Sequence, residues 1–150
     1  CTHKQVAAYL SKISGPLLDR FDLHIEVAPV EFQDLSSEIS EEPSAEIRKR
    51  VMAAREIQNE RFRGTGITCN ANITPDKLQK FCVINDDAKT YIGNAFDKLG
   101  LSARAYDRIL KVARTVADIK GSEVIKKEHI AAAIQFRSLD RKYWNINQEK

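Results

Sequence analysis

Apolar residues recur at helical spacing in Gln5 to Ile13, at Val6, Tyr9, Leu10 and Ile13, and Gly15-Pro16 ends the run. The period then changes. Leu23, Ile25 and Val27 alternate with Asp22, His24 and Glu26, which predicts a half-buried strand closed by Pro29. Glu31 to Glu46 holds six acids and no base, with Pro43 and several serines, and reads as a solvated connector. Ser44 offers an N-cap for a long helix to about Arg63, with Ile47, Val51, Ala54 and Gln58 on one face and Gly64-Thr65-Gly66 as its stop. Thr74-Pro75-Asp76 opens a short helix that should bury Leu78, Phe81 and Cys82, with threonine as cap and proline in the first position. Asn85-Asp86-Asp87 starts the next, whose stripe is Ala88, Ile92, Ala95, Phe96 and Leu99 and whose stop is Gly100. Ser102 caps another, with Ala105, Ile109, Val112, Ala113 and Val116 as its stripe and Gly121 at its end. Val124-Ile125 is a short extended link, and Lys127 to Ser138 forms a last helix burying Ile130, Ala133 and Ile134.

These elements predict a mainly α fold, with one helix and one strand ahead of a bundle of four or five helices. An apolar strand without neighbours is unstable, so Leu23–Val27 is expected to join a sheet that the rest of a larger protein supplies. The corresponding division is 1–30, an acidic connector at 31–46, a helical domain at 47–140 and a tail at 141–150, where Tyr143 and Trp144 are candidates to dock.

Composition narrows the class. A chain of 150 residues with 43% apolar and 30% charged residues fits a globular protein with one ordinary core. No apolar run approaches the ~20 residues needed to cross a bilayer, so no membrane partner is expected. The start, Cys1-Thr2-His3-Lys4, has no initiator methionine and no signal-type apolar region, and suggests an excised piece of a cytoplasmic protein. The net charge of +3 is unevenly spread: from Leu101 onward 11 Lys or Arg face 6 Asp or Glu. That basic third suits phosphates, of a nucleotide or of nucleic acid, or is simply a set of solvated helix faces. Cys1, Cys69 and Cys82 are too far apart for a disulfide framework, and no zinc-type spacing follows Cys1 and His3, so no metal site is expected.

None of the six glycines lies in a phosphate-cradling G-x-x-x-x-G-K-[ST] loop, and no apolar strand ends in paired acids. The chain is therefore not expected to hydrolyse ATP alone. No spacing suggests a catalytic triad, and the three histidines read as surface or packing residues. Arg104 lies in the first turn of the Ser102-capped helix, beside unpaired backbone N–H groups and the positive end of the dipole, which favours phosphate. Arg108, one turn on, shares its face. It either assists Arg104 or pairs with Asp107 or another acid nearby. Arg114 reads as structural.

Two stretches, Ser14-Gly15-Pro16-Leu17-Leu18-Asp19-Arg20-Phe21-Asp22-Leu23 and Leu101 to Asp118, resemble the C-terminal part of magnesium-chelatase-like AAA+ ATPases. The likeness runs from about Cys1 to Asp140 and is nearest to the bacterial competence-associated group, which resembles hexameric branch-migration motors. It implies a helical lid-type bundle preceded by a helix and a strand left over from the α/β ATPase core. It also implies ATP and Mg2+ in the parent protein, neighbouring copies in a hexamer, DNA as a possible substrate and a cytoplasmic location. By the same resemblance Arg20 is the arginine finger, acting on ATP held by a neighbouring subunit, a role that suits a planar, permanently charged guanidinium. The plainer reading of Arg20 is a surface arginine paired with Asp19 or Asp22. Ser102-Ala103-Arg104 resembles the sensor-2 arginine of the lid, Ser44 to Arg63 fits a helical insertion of this clade, and Cys1 fits the last member of an upstream cysteine cluster. Metal insertion into a porphyrin is not implied. Two other classes stay open: a nucleic-acid-binding module using Lys111, Arg114, Lys120, Lys126 and Lys127, and a helical protein-interaction module without a nucleotide role.

Overall fold

A computed structural model describes residues 2, 5, 8, 9, 12, 14, 17, 20–30 and 42–137. From residue 42 onward, the described residues form five α-helices in succession: α1 (Ser44–Arg61), α2 (Leu78–Phe81), α3 (Asp86–Leu99), α4 (Ala103–Ile119) and α5 (Lys127–Gln135). Two 3₁₀ turns, Asn70–Asn72 and Pro75–Lys77, join α1 to α2. Of the anticipated first helix, Gln5, Ala8 and Tyr9 are helical, and the remainder lies outside the described residues. The tail and most of the acidic connector also lie outside them.

The bundle is organised around α4, which packs on both α1 and α5 while α5 also meets α3. Ser102 starts α4 by accepting the Ala105 N–H at 3.1 Å, and Asn85 starts α3 by accepting that of Ala88 at 2.9 Å. These side-chain oxygens satisfy donors that a helix start otherwise leaves open. Gly100 ends α3 at φ 55°, a left-handed conformation that costs a residue with a Cβ. Ile92, Ile109, Ile125 and Ile130 meet in the core, none more than 2% exposed. Each contributes roughly 1.5–3 kcal/mol by leaving water. Phe62 and Phe81 close one end edge to face, with centroids 5.1 Å apart.

The expected strand is absent: no residue of 22–30 is in a strand, and no strand occurs among the described residues. A single parallel bridge, Ile84 to Ile125, is the described sheet-like pairing, and it ties the two ends of the α3–α4 unit together. Leu23, Ile25 and Val27 do alternate, yet alternation fixes only which way side chains face. A strand also needs a neighbouring backbone to form a ladder. Here the His24 N–H reaches the carbonyl of Phe136 at 2.6 Å, and Leu23 lines an apolar groove with Val112, Val116, Ile119 and Phe136. Ile25 and Val27 stay 66% and 86% exposed.

Smaller corrections concern α1 and α2. Pro43, not Ser44, occupies the N-cap of α1, and of the predicted face only Ala54 and Gln58 are buried, Ile47 and Val51 remaining exposed. Thr74 holds the cap position before Pro75 without a side-chain cap bond, while Leu78, Phe81 and Cys82 are buried as expected.

Candidate functional site

Arg20 closes a turn, its N–H donating to the Leu17 carbonyl at 3.0 Å, and its side chain is exposed. The backbone just beyond it is fastened to the bundle. Arg137, 5% exposed, donates from Nη1 to the Phe21 carbonyl at 2.9 Å. Asp22 accepts from Nη1 of Arg108, and the His24 N–H bonds Phe136 as noted above. Three successive attachments thus hold the segment that follows Arg20 against α4 and the end of α5.

Arg104 is exposed in the first turn of α4. Arg108, one turn later, is only partly exposed, and its carboxylate partner is Asp22. The sequence had left open whether Arg108 joins phosphate or an acid; here the acid is Asp22, two residues after Arg20, and not Asp107. One helix accordingly carries both an open arginine and the anchor of the segment bearing the other.

Arg114 has a different setting. It is 1% exposed and donates from Nε to Asp118 at 3.0 Å, from Nη1 to the Glu123 carbonyl at 2.6 Å, and from Nη2 to the Ser122 carbonyl. Asp118 also accepts from Arg61 at 2.8 Å and from Asn70 Nδ2 at 2.7 Å. Asn70 in turn reaches Thr115 Oγ1 at 3.1 Å, and its own N–H is taken by Gln58 at 3.2 Å. Burial works to lower the Arg114 pKa, and Asp118 opposes it. The network seams α1, the first 3₁₀ turn, α4 and the loop before α5. Arg114 is thereby removed from any phosphate-facing surface, leaving Lys111, Lys120, Lys126 and Lys127 of the basic set. Sequence reasoning gave Arg114 a structural role but passed over Arg61, Asn70 and Asp118. The available signal was two charged residues four apart inside an apolar stripe, since buried charges occur in compensated sets.

Arg104 beside a capped helix start, and the open guanidinium of Arg20, fit phosphate oxygens. No group of three or more His, Cys, Asp or Glu that could hold a metal occurs among the described residues. None of the described helices is long and apolar enough to cross a membrane.

Comparison with known proteins agrees with this architecture. Residues 41–137, which include all five helices from α1 onward, match the family described as magnesium chelatase, subunit ChlI C-terminal. The chain belongs to this magnesium-chelatase family. Residues 1–35 match the companion family, magnesium chelatase, subunit ChlI, so the Arg20 segment and the bundle fall in adjacent family regions. The chain is 41% identical over 142 residues to the protein YifB of Salmonella typhimurium, covering 94% of this chain and 27% of that protein. It is also 41% identical over 139 residues to competence protein ComM of Haemophilus influenzae, covering 92% of this chain and 26% of ComM. A Mycobacterium tuberculosis relative, Rv2897c, is 34% identical over 137 residues, which is 91% of this chain and 27% of that protein. The chain thus spans about a quarter of the length of these relatives.

Proposed function

We propose that this chain is the nucleotide-responsive lid region of a ring-forming AAA+ ATPase, and that it is not an ATPase by itself. One observation carries the reading: Arg20 and Arg104 are both open to solvent, while the segment after Arg20 is fastened to the helix that bears Arg104. In the full-length protein, ATP with Mg2+ supplies the phosphoryl bond whose cleavage drives the cycle. The chain's contribution is placed charge. Arg104 meets phosphates of the nucleotide held by its own subunit, and Arg108 supports it from the next turn of the same helix without touching them. Arg20 meets those held by a neighbouring copy in a hexamer and offsets charge at the terminal phosphate, a contribution of about 10³–10⁵ in rate for such fingers. Contacts that ATP makes and its products cannot are the differential affinity that moves the lid.

DNA is the substrate this reading favours. The Haemophilus relative is named a competence protein, and Lys120, Lys126 and Lys127 are exposed, Lys120 lying 3.9 Å from Glu128. The working compartment in this reading is the cytoplasm. Substitution Arg104→Ala in the full-length protein tests the nucleotide role. The KM for ATP should rise or turnover should fall, about tenfold or more for the loss of a charged hydrogen bond. Unchanged turnover would instead favour a helical binding module in which the arginines are incidental.

A further inference from the structure

We propose that Arg108 is a positioning residue which, through Asp22, couples the lid helix of one subunit to the finger that the same subunit offers its neighbour. The inference rests on the reading of Arg20 and Arg104 given above and assigns the connection between them. Asp22 lies two residues after Arg20, and its carboxylate accepts from Nη1 of Arg108. Arg108 lies four residues after Arg104, on the same face of α4. A rigid helical turn therefore separates the group that meets one nucleotide from the anchor of the group that meets the next.

Arg108 is the more covered partner of the pair, the Asp22 side chain being 48% exposed. The Arg108 side chain is 25% exposed, and its Nε is buried with no hydrogen-bond partner among the described residues. Its charge is thus partly desolvated, and Asp22 is the carboxylate that compensates it. The attachments on either side belong to the end of α5: Arg137 holds the Phe21 carbonyl, and Phe136 takes the His24 N–H. Of the three polar attachments, that of Asp22 is the one that reaches α4, the helix carrying Arg104, beside the groove that Leu23 lines with Val112, Val116 and Ile119. Displacement of α4 in response to nucleotide reaches Arg20 through this pair.

The test uses the full-length protein with Asp22→Arg, Arg108→Asp and the exchange of both, alongside Arg20→Ala. Each single reversal should lower kcat about fivefold, the scale of one partly exposed ion pair, with the KM for ATP little changed, and the exchange should restore most of the loss. Hydrogen exchange at the His24 amide, followed without nucleotide, should quicken in each reversal and slow again in the exchanged protein. A rise in KM confined to the Arg108 variant would make Arg108 a phosphate ligand and overturn the coupling. So would wild-type kcat in both reversals, or a His24 amide indifferent to them. If Arg20→Ala itself turns over normally, the finger reading falls, whatever the pair does. If Arg20→Ala is inactive while both reversals are normal, the coupling alone is wrong.

Discussion

Arg114 and Asp118 form an ion pair across one turn of α4, Nε to Oδ1 at 3.0 Å, with both residues at most 2% exposed. A second arginine, Arg61 at the end of α1, closes on the same carboxylate. Two guanidinium groups thus share one buried anion, helped by Asn70 and by the carbonyls of Ser122 and Glu123. Asp118→Ala is expected to destabilise the protein by about 3–5 kcal/mol, because it strands two charges away from water. Arg114→Met should cost less, since Asp118 keeps Arg61 and Asn70 and the apolar chain still fills the site. Urea denaturation of both variants checks the order.

Stability should also respond to pH through His129. This residue is fully buried, and its Nδ1 accepts the Lys126 N–H at 3.0 Å at the start of α5. Burial holds the imidazole below its ordinary value of 6.5, with Glu128 opposing. Between the lower folded value and 6.5 the unfolded chain binds more protons than the folded one. The stabilising contribution is therefore present above 6.5 and is lost as pH falls through that window to the folded value. His129→Gln keeps an acceptor for the capping N–H but does not titrate. It should flatten the decline in melting temperature over that window.

Cys69 and Cys82 should differ sharply in reactivity. Burial pushes the Cys82 thiol up to about 11. At Cys69 burial also works upward, but the backbone N–H groups of Asn72 and Ala71 and the Arg55 side chain outweigh it and bring the thiol below its ordinary value. The thiolate is the nucleophile, so iodoacetamide at mildly alkaline pH should modify Cys69 while Cys82 reacts only on unfolding. Peptide mass mapping over time reads both sites.

The helices were legible where capping and periodicity agreed. Asn85, Gly100, Ser102 and Gly121 bracket α3 and α4, and those side chains or glycine conformations do end the helices. Legibility failed where the outcome depended on a neighbour. The Leu23–Val27 alternation implied a strand, but the segment lies along α4 and α5 with no ladder among the described residues. Ile47 and Val51 have the spacing of a buried face, yet α1 buries only Ala54 and Gln58 and its N-terminal half stays solvated. In the site, Arg20, Arg104 and Arg108 were visible as candidates, whereas the Asp22–Arg108 pair joins residues 86 apart and no local pattern encodes it. The Arg61–Asn70–Asp118 connection was hidden for the same reason.

The most direct measurement is ATP turnover by mixed rings of the full-length protein. One component carries Arg20→Ala; the other lacks the lysine of the phosphate-binding loop that the proposed reading gives the full-length protein. Each alone should be inactive. Mixed, a subunit with an intact loop can sit beside one with an intact Arg20, and turnover should reappear. Normal turnover by Arg20→Ala alone would contradict the account, as would two inactive components that form mixed rings without any recovery.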